Sequence, residues 1–176
     1  MAAEKKNEQS MILNRRTALS ALALTGLSAC TGGMFSGSYV GPEVTGIVVH
    51  KSERKMYLLH NNTPLKVFDI HLGGNPVGPK EFEGDMKTPE GAYRITHRNP
   101  HSQFHLSLGI SYPNPDQVAY ARSQGKQPGG DIFIHGEYPY GGKTGDWTAG
   151  CIAVSNRDMD VVYAMVNPGT PIWILP

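Results

Sequence analysis

From Gly46 onward, short apolar runs alternate with clusters of turn residues, the pattern of many short strands rather than of long helices. Residues 46–51 and 56–60 are apolar runs flanking Ser52-Glu53-Arg54-Lys55, which predicts a hairpin. Residues 65–72 alternate, with Leu65, Val67 or Phe68, Ile70 and Leu72 as the inward set, until Gly73-Gly74-Asn75-Pro76 stops the strand. A turn-rich stretch to Pro89 precedes strands over 91–97 and 104–110, the second with Phe104, Leu106, Leu108 and Ile110 on one side. Tyr112-Pro113-Asn114-Pro115 breaks that strand, and a short helix is expected over 116–123. Residues 131–135 form a tight apolar strand running into Gly136, and 137–150 lack any periodicity and read as a loop. Ser155 and Asp158 offer the cap of a second helix reaching Val166, with Met159, Val162, Tyr163 and Val166 as its apolar stripe. Asn167-Pro168-Gly169 ends it, and 171–175 supply a last strand. The expected architecture is mainly β, a sandwich with two short helices.

The first thirty residues follow a different pattern and stand outside the fold argument. Arg15-Arg16 precede an apolar run from Ala18 to Leu27, too short to span a bilayer comfortably, which ends in Leu27-Ser28-Ala29-Cys30. Small residues before a cysteine after such a run resemble a bacterial lipoprotein signal, in which Cys30 is lipidated and becomes the new N-terminus. The arginine pair serves equally as a twin-arginine signal or as an ordinary basic flank. Because residues 1–10 are polar, Met11 is an alternative start. Thr31-Gly32-Gly33 and Ser36-Gly37-Ser38 then read as a flexible tether over 31–45, leaving 46–176 as the one folded domain. This reading places the protein in the cell envelope, on the periplasmic side, anchored to a membrane through the lipid on Cys30.

Composition sharpens these expectations only a little. The 21 glycines and 13 prolines favour turns, and a net charge of +1 offers no basic excess for a nucleic-acid partner. The cysteine count changes the picture more. With two cysteines and Cys30 committed to lipid, Cys151 is the single thiol of an exported domain, without a disulfide partner. Its surroundings suggest chemistry: Ile132-Phe133-Ile134-His135-Gly136, a loop, then Thr148-Ala149-Gly150-Cys151. A thiol is a poor nucleophile until it loses its proton, and a neighbouring imidazole can take that proton and hold an ion pair. His135 ends a buried strand, and the loop can fold back to bring Cys151 to it. Gly150 leaves the backbone uncrowded, so N–H groups around Ala149, Gly150 and Cys151 are candidates for an oxyanion site.

His-Gly, a loop, and Ser/Thr-x-Gly-Cys at this spacing resemble the signature of the YkuD-type L,D-transpeptidases. Lys87-Thr88-Pro89-Glu90-Gly91-Ala92-Tyr93 is similar to the family's Thr-Pro-x-Gly strand entry, and Ile110-Ser111-Tyr112-Pro113-Asn114 resembles a branch that includes lipoprotein-detaching relatives. The resemblance covers about residues 46–176. It implies a cell-wall enzyme, bearing on wall biogenesis and cell shape, with Cys151 as nucleophile, His135 as general base and the carbonyl of Gly136 orienting the imidazole. Thr148 would line the site, and Tyr112 and His105 are candidates for the substrate groove. Such enzymes attack the amide after the L-centre of a diamino acid at stem position three, release D-alanine and pass the acyl group to an amine. No metal or other cofactor is implied. Peptidoglycan stems are the expected partner, with a wall-linked lipoprotein or another amine as acceptor.

The chain also departs from the family pattern. Many members have His before the Gly-Cys pair and Arg two residues after it, where this chain has Ala149 and Ala153. Lys143, Arg122 and Lys87 are candidates to supply the missing cation. The closest rival reading is a hydrolase with the same Cys/His site, an L,D-carboxypeptidase or an amidase freeing wall-bound protein. A zinc peptidase is disfavoured: His-Glu-x-x-His is absent, and His101 and His105 stand at i, i+4 in a stretch that reads as strand. A non-catalytic wall binder would have no use for an unpaired thiol beside His135 and Gly150.

Overall fold

Eight strands and two helices follow one another as β1 (Gly46–His50), β2 (Lys55–His60), β3 (Thr63–Asp69), β4 (Gly91–Asn99), β5 (Ser107–Ile110), α1 (Pro115–Ser123), β6 (Phe133–His135), β7 (Ile152–Ala153), α2 (Asn156–Met165) and β8 (Pro171–Leu175). This computed structural model describes residues 39–137 and 144–176. The signal segment with Cys30, most of the tether, and Lys143 lie outside the described residues.

The mainly-β architecture with two helices is present, and its strands join into one curled sheet in the order β3-β2-β1-β8-β4-β5-β6-β7. Strand β4 serves both halves. Its first residues, Gly91 to Arg94, pair with β8, and Ile95 to Asn99 pair with β5 after an irregularity between Ile95 and Arg98. Such a bulge bends a strand and increases its twist.

Alternation decides which side chains go inside. Ile47 and Val49 of β1, Met56 and Leu58 of β2, and Ile172 and Ile174 of β8 are fully buried. Each contributes about 1.5–3 kcal/mol by leaving water. Phe68, Ile70 and Leu72 form the inward set after β2, and Val67 is half-exposed, which settles the alternative left open by sequence. Strand β5 is shorter than expected. His105 has φ +72, a left-handed conformation that interrupts extended backbone, so Phe104 and Leu106 precede the strand.

The tether ends earlier than its composition suggests. Val44 is buried, and the N–H of Thr45 donates to Leu59 O at 2.8 Å, so both belong to the domain. Helix α1 begins with a capping box in which Asn114 and Gln117 exchange side-chain and backbone hydrogen bonds, with Pro115 in the first turn. Ser155 caps α2, which buries Met159, Val162 and Met165. Of the expected stripe, Val166 is also buried and Tyr163 packs against the core from a partly exposed position.

Candidate active site

The site lies where β5, β6 and β7 meet. Strands β6 and β7 run parallel, pairing Ile134 with Ile152 and His135 with Ala153. A parallel pair needs a long crossover, which the segment between Gly136 and Gly150 supplies. The register brings Cys151, just before β7, beside Phe133, whose N–H lies 3.4 Å from Cys151 Sγ. The thiol in turn faces the carbonyl of Asp131 at 3.4 Å.

Both glycines flanking the chemistry are required by close approach. A Cβ on Gly136 would lie 2.6 Å from Asn156 Oδ1 and 2.9 Å from Phe104 O. Gly150 has φ +136, and a Cβ there would lie 2.6 Å from Lys87 O.

His135 is buried at the end of β6. Its Nδ1 lies 2.6 Å from Gly136 O, which accepts a hydrogen bond when Nδ1 carries the proton and leaves Nε2 as the free acceptor. Phe104 and Trp147 hold the ring from two sides, with centroids 4.6 and 5.7 Å away. His135, Cys151, Phe104 and Phe133 line one cavity of about 410 Å³, with Asn99, Ser102 and Asp131 among its polar walls.

Burial acts on both protons of the pair, in opposite directions. It pushes the Cys151 thiol above its ordinary range, opposed by the N–H of Phe133 and the charge of Lys80 and reinforced by Asp131. It pushes His135 below the usual imidazole value, partly offset by the hydrogen bond to Gly136 O. Each shift favours a neutral resting group. The ion pair expected from sequence is therefore disfavoured before substrate arrives.

Other residues singled out by sequence occupy different places. Thr148 does not line the cavity. It is buried beneath the turn, where its hydroxyl donates to Cys151 O at 2.7 Å and accepts from Gly150 N–H at 3.1 Å. That second bond commits the Gly150 N–H, so Gly150 adds no donor to an oxyanion site, whereas Ala149 is exposed at the turn.

Tyr112 is a core residue rather than a groove residue. Its hydroxyl donates to Pro128 O at 2.9 Å, its ring packs against Tyr93, and burial pushes its phenol up to about 12. His105 turns to Asp160, with Nε2 and Oδ1 2.7 Å apart, and does not line the cavity; His101 does. Ala153 is fully buried and pairs with His71 in both directions, so its side chain faces the core. Arg122 is exposed on α1 and does not line the cavity, and Lys87 approaches Gly78 instead.

Sequence reasoning missed the supports behind the site. Lys80 and Lys51 are both almost fully buried. Lys80 pairs with Asp85 at 2.8 Å, and Asp85 also accepts the N–H groups of Glu81, Phe82 and Lys87. Lys51 pairs with Glu90 at 2.8 Å and donates to Gly78 O and Thr88 O. Together they pin the stretch before β4, whose Lys87 carbonyl lies against Gly150. Asp146 anchors the far side by accepting from Arg54 and from Leu72 N–H. Lys51 had a readable signal, since Ile47, Val49 and Lys51 share one face of a strand; Lys80 had none.

A curled β sheet carrying a cavity-lining cysteine and a histidine oriented by its neighbouring carbonyl defines the class. The YkuD family, the L,D-transpeptidase catalytic domain, matches residues 45–174, and this chain belongs to that family. The Escherichia coli K12 protein YafK, whose name assigns it to the L,D-transpeptidases, is 32% identical over 93 residues, covering 52% of this chain and 32% of that one. Among solved structures, a mutant of the helical cell shape determining protein Pgp2 from Campylobacter jejuni matches with TM-score 0.60 and 25% identity. That match covers 77% of this chain and 48% of Pgp2. L,D-transpeptidase 1 from Mycobacterium tuberculosis shares the fold, with TM-score 0.50 and 14% identity over 76% of this chain and 62% of that one. The chain thus spans about a third of YafK and about half of Pgp2.

Proposed function

We propose that the domain is a cysteine-dependent L,D-transpeptidase acting on peptidoglycan stem peptides in the cell envelope. The observation that carries this reading is the shared cavity of Cys151 and His135, with Nδ1 engaged by Gly136 O. In this reading His135 Nε2 takes the proton of Cys151 as Sγ bonds to the carbonyl carbon after the L-centre of stem residue three. The amide C–N bond breaks, the imidazolium returns its proton to the leaving nitrogen, and D-alanine departs from a thioester. An acceptor amine then attacks the thioester, His135 removes the amine's proton, and the thiol is restored with the new amide.

Because burial favours the neutral form of both groups, proton transfer and attack are coupled at the moment of reaction. The Phe133 N–H steadies the sulfur as charge develops on it. The membrane-anchored location rests on the segment ending at Cys30, and the acceptor is an amine of the wall or of a wall-linked lipoprotein.

Mass spectrometry of the full chain mixed with tetrapeptide muropeptides, beside its Cys151→Ala twin, tests the reading. Loss of D-alanine with dimeric product supports transfer. Loss with only tripeptide monomer would replace transfer by hydrolysis, and turnover undiminished in Cys151→Ala would remove the cysteine mechanism.

A further inference from the structure

The charge around Cys151 is one-sided. Among the described residues lining the cavity there is no lysine or arginine, and Asp131 is the one carboxylate. The buried cation behind the site, Lys80, is already paired with Asp85. Asp131 by contrast is exposed, and no hydrogen-bond donor or ion-pair partner meets its carboxylate among the described residues. It is held at φ +53, an uncommon backbone region for a residue with a side chain, and its own carbonyl faces Cys151 Sγ at 3.4 Å. The backbone that contacts the nucleophile is thus the one that carries the Asp131 carboxylate at the cavity wall. A carboxylate on a cavity wall that carries no lysine or arginine favours a cationic group in the space before it.

We propose that Asp131 is a specificity-determining residue of this cavity and receives a primary ammonium group of the substrate. The substrate assignment rests on the function proposed above; the charge preference at Cys151 does not. The shared chemistry has two sources: the free amine of the diamino acid at stem position three, and the amine of the acceptor.

Asp131→Asn is the informative variant, since asparagine tolerates positive φ and removes only the charge. The full chain is treated with a cationic trimethylammonioethyl methanethiosulfonate and, separately, with its anionic sulfonatoethyl analogue. In each case the thiolate of Cys151 takes up the thioalkyl group and methanesulfinate leaves. Labelling is read by mass spectrometry on the peptide containing Cys151, which keeps Cys30 out of the measurement, and a neutral methylthiolating analogue, methyl methanethiosulfonate, reports that the site is intact. The parent is expected to prefer the cation, and Asp131→Asn to lower the cation-to-anion rate ratio about tenfold. Taking the ratio cancels any change in thiolate fraction. An unchanged ratio overturns the proposal, whether or not the protein turns over muropeptides.

A second arm separates the two sources. If acetylating the free amine of a stem tetrapeptide slows D-alanine release about tenfold in the parent but not in Asp131→Asn, the ammonium is the donor's. If release ignores acetylation and only the amine-transfer product falls in Asp131→Asn, the ammonium is the acceptor's. If neither changes, Asp131 shapes the local field without recognising substrate, and the proposal fails.

Discussion

Within the cavity, one proton is held more tightly than in water and another more loosely. Burial raises the Cys151 thiol and lowers the His135 imidazole, so thiolate becomes abundant only as pH climbs past the value of a free thiol. Iodoacetamide alkylation of Cys151 is accordingly expected to accelerate with pH through one inflection on the alkaline side of a free thiol. A rate that stays high and flat down to acidic pH would instead reveal a preformed ion pair. That Cys151 and His135 meet in one cavity was legible in sequence from residue type and spacing. The places of Tyr112, His105 and Thr148 were not. Each was assigned from its position along the chain, but a single hydrogen bond decides each one: to Pro128 O, to Asp160 and to Cys151 O.

Among the elements, the turn leading into β7 is tightly constrained. Gly150 combines a positive φ with the Lys87 carbonyl at 2.6 Å from any added Cβ, so Gly150→Ala must displace either the turn or the stretch pinned by Lys80 and Asp85. It is expected to cost about 2 kcal/mol or more in urea unfolding and to slow alkylation of Cys151. Gly130→Ala serves as the control, because nothing lies within 4 Å of a Cβ there; its cost should stay within about 0.5 kcal/mol. Equal costs would mean that close approach is not what requires Gly150. Most strands and both helices were legible from periodicity and capping residues. Strand β7 was not, because Ile152–Ala153 is too short to show a period. Its existence depends on a parallel partner distant in sequence, and so does the alignment of the site. The late start of β5 escaped for another reason: alternation begins at Phe104 and Leu106, whereas the backbone breaks at His105.

For the molecule as a whole, the reading of a lipid-anchored envelope protein rests on the sequence of the segment ending at Cys30. Among the described residues no helix is long and apolar enough to cross a membrane. Expressed in a Gram-negative host, the parent is expected in the membrane fraction, and Cys30→Ser is expected to release it to the soluble periplasmic extract. Continued sedimentation of Cys30→Ser with membranes would remove the anchor. The family was legible because the His-Gly and Gly-Cys elements are compact in sequence. The single curled sheet was less so, because strand order depends on pairings between distant segments.

One such pairing has a consequence in time. Strand β8 sits between β1 and β4, joining Ile47 to Ile172 in parallel and Gly91 to Ile174 in antiparallel fashion. During synthesis β1 leaves the ribosome long before its neighbour exists, and the β3-β2-β1 hairpin layer waits with an open edge. Pairings of that sequence separation form slowly. The chain therefore remains open until residues near 172 have emerged, a window in which a chaperone or an export machine can hold it unfolded and in which its bare edge is most exposed to aggregation.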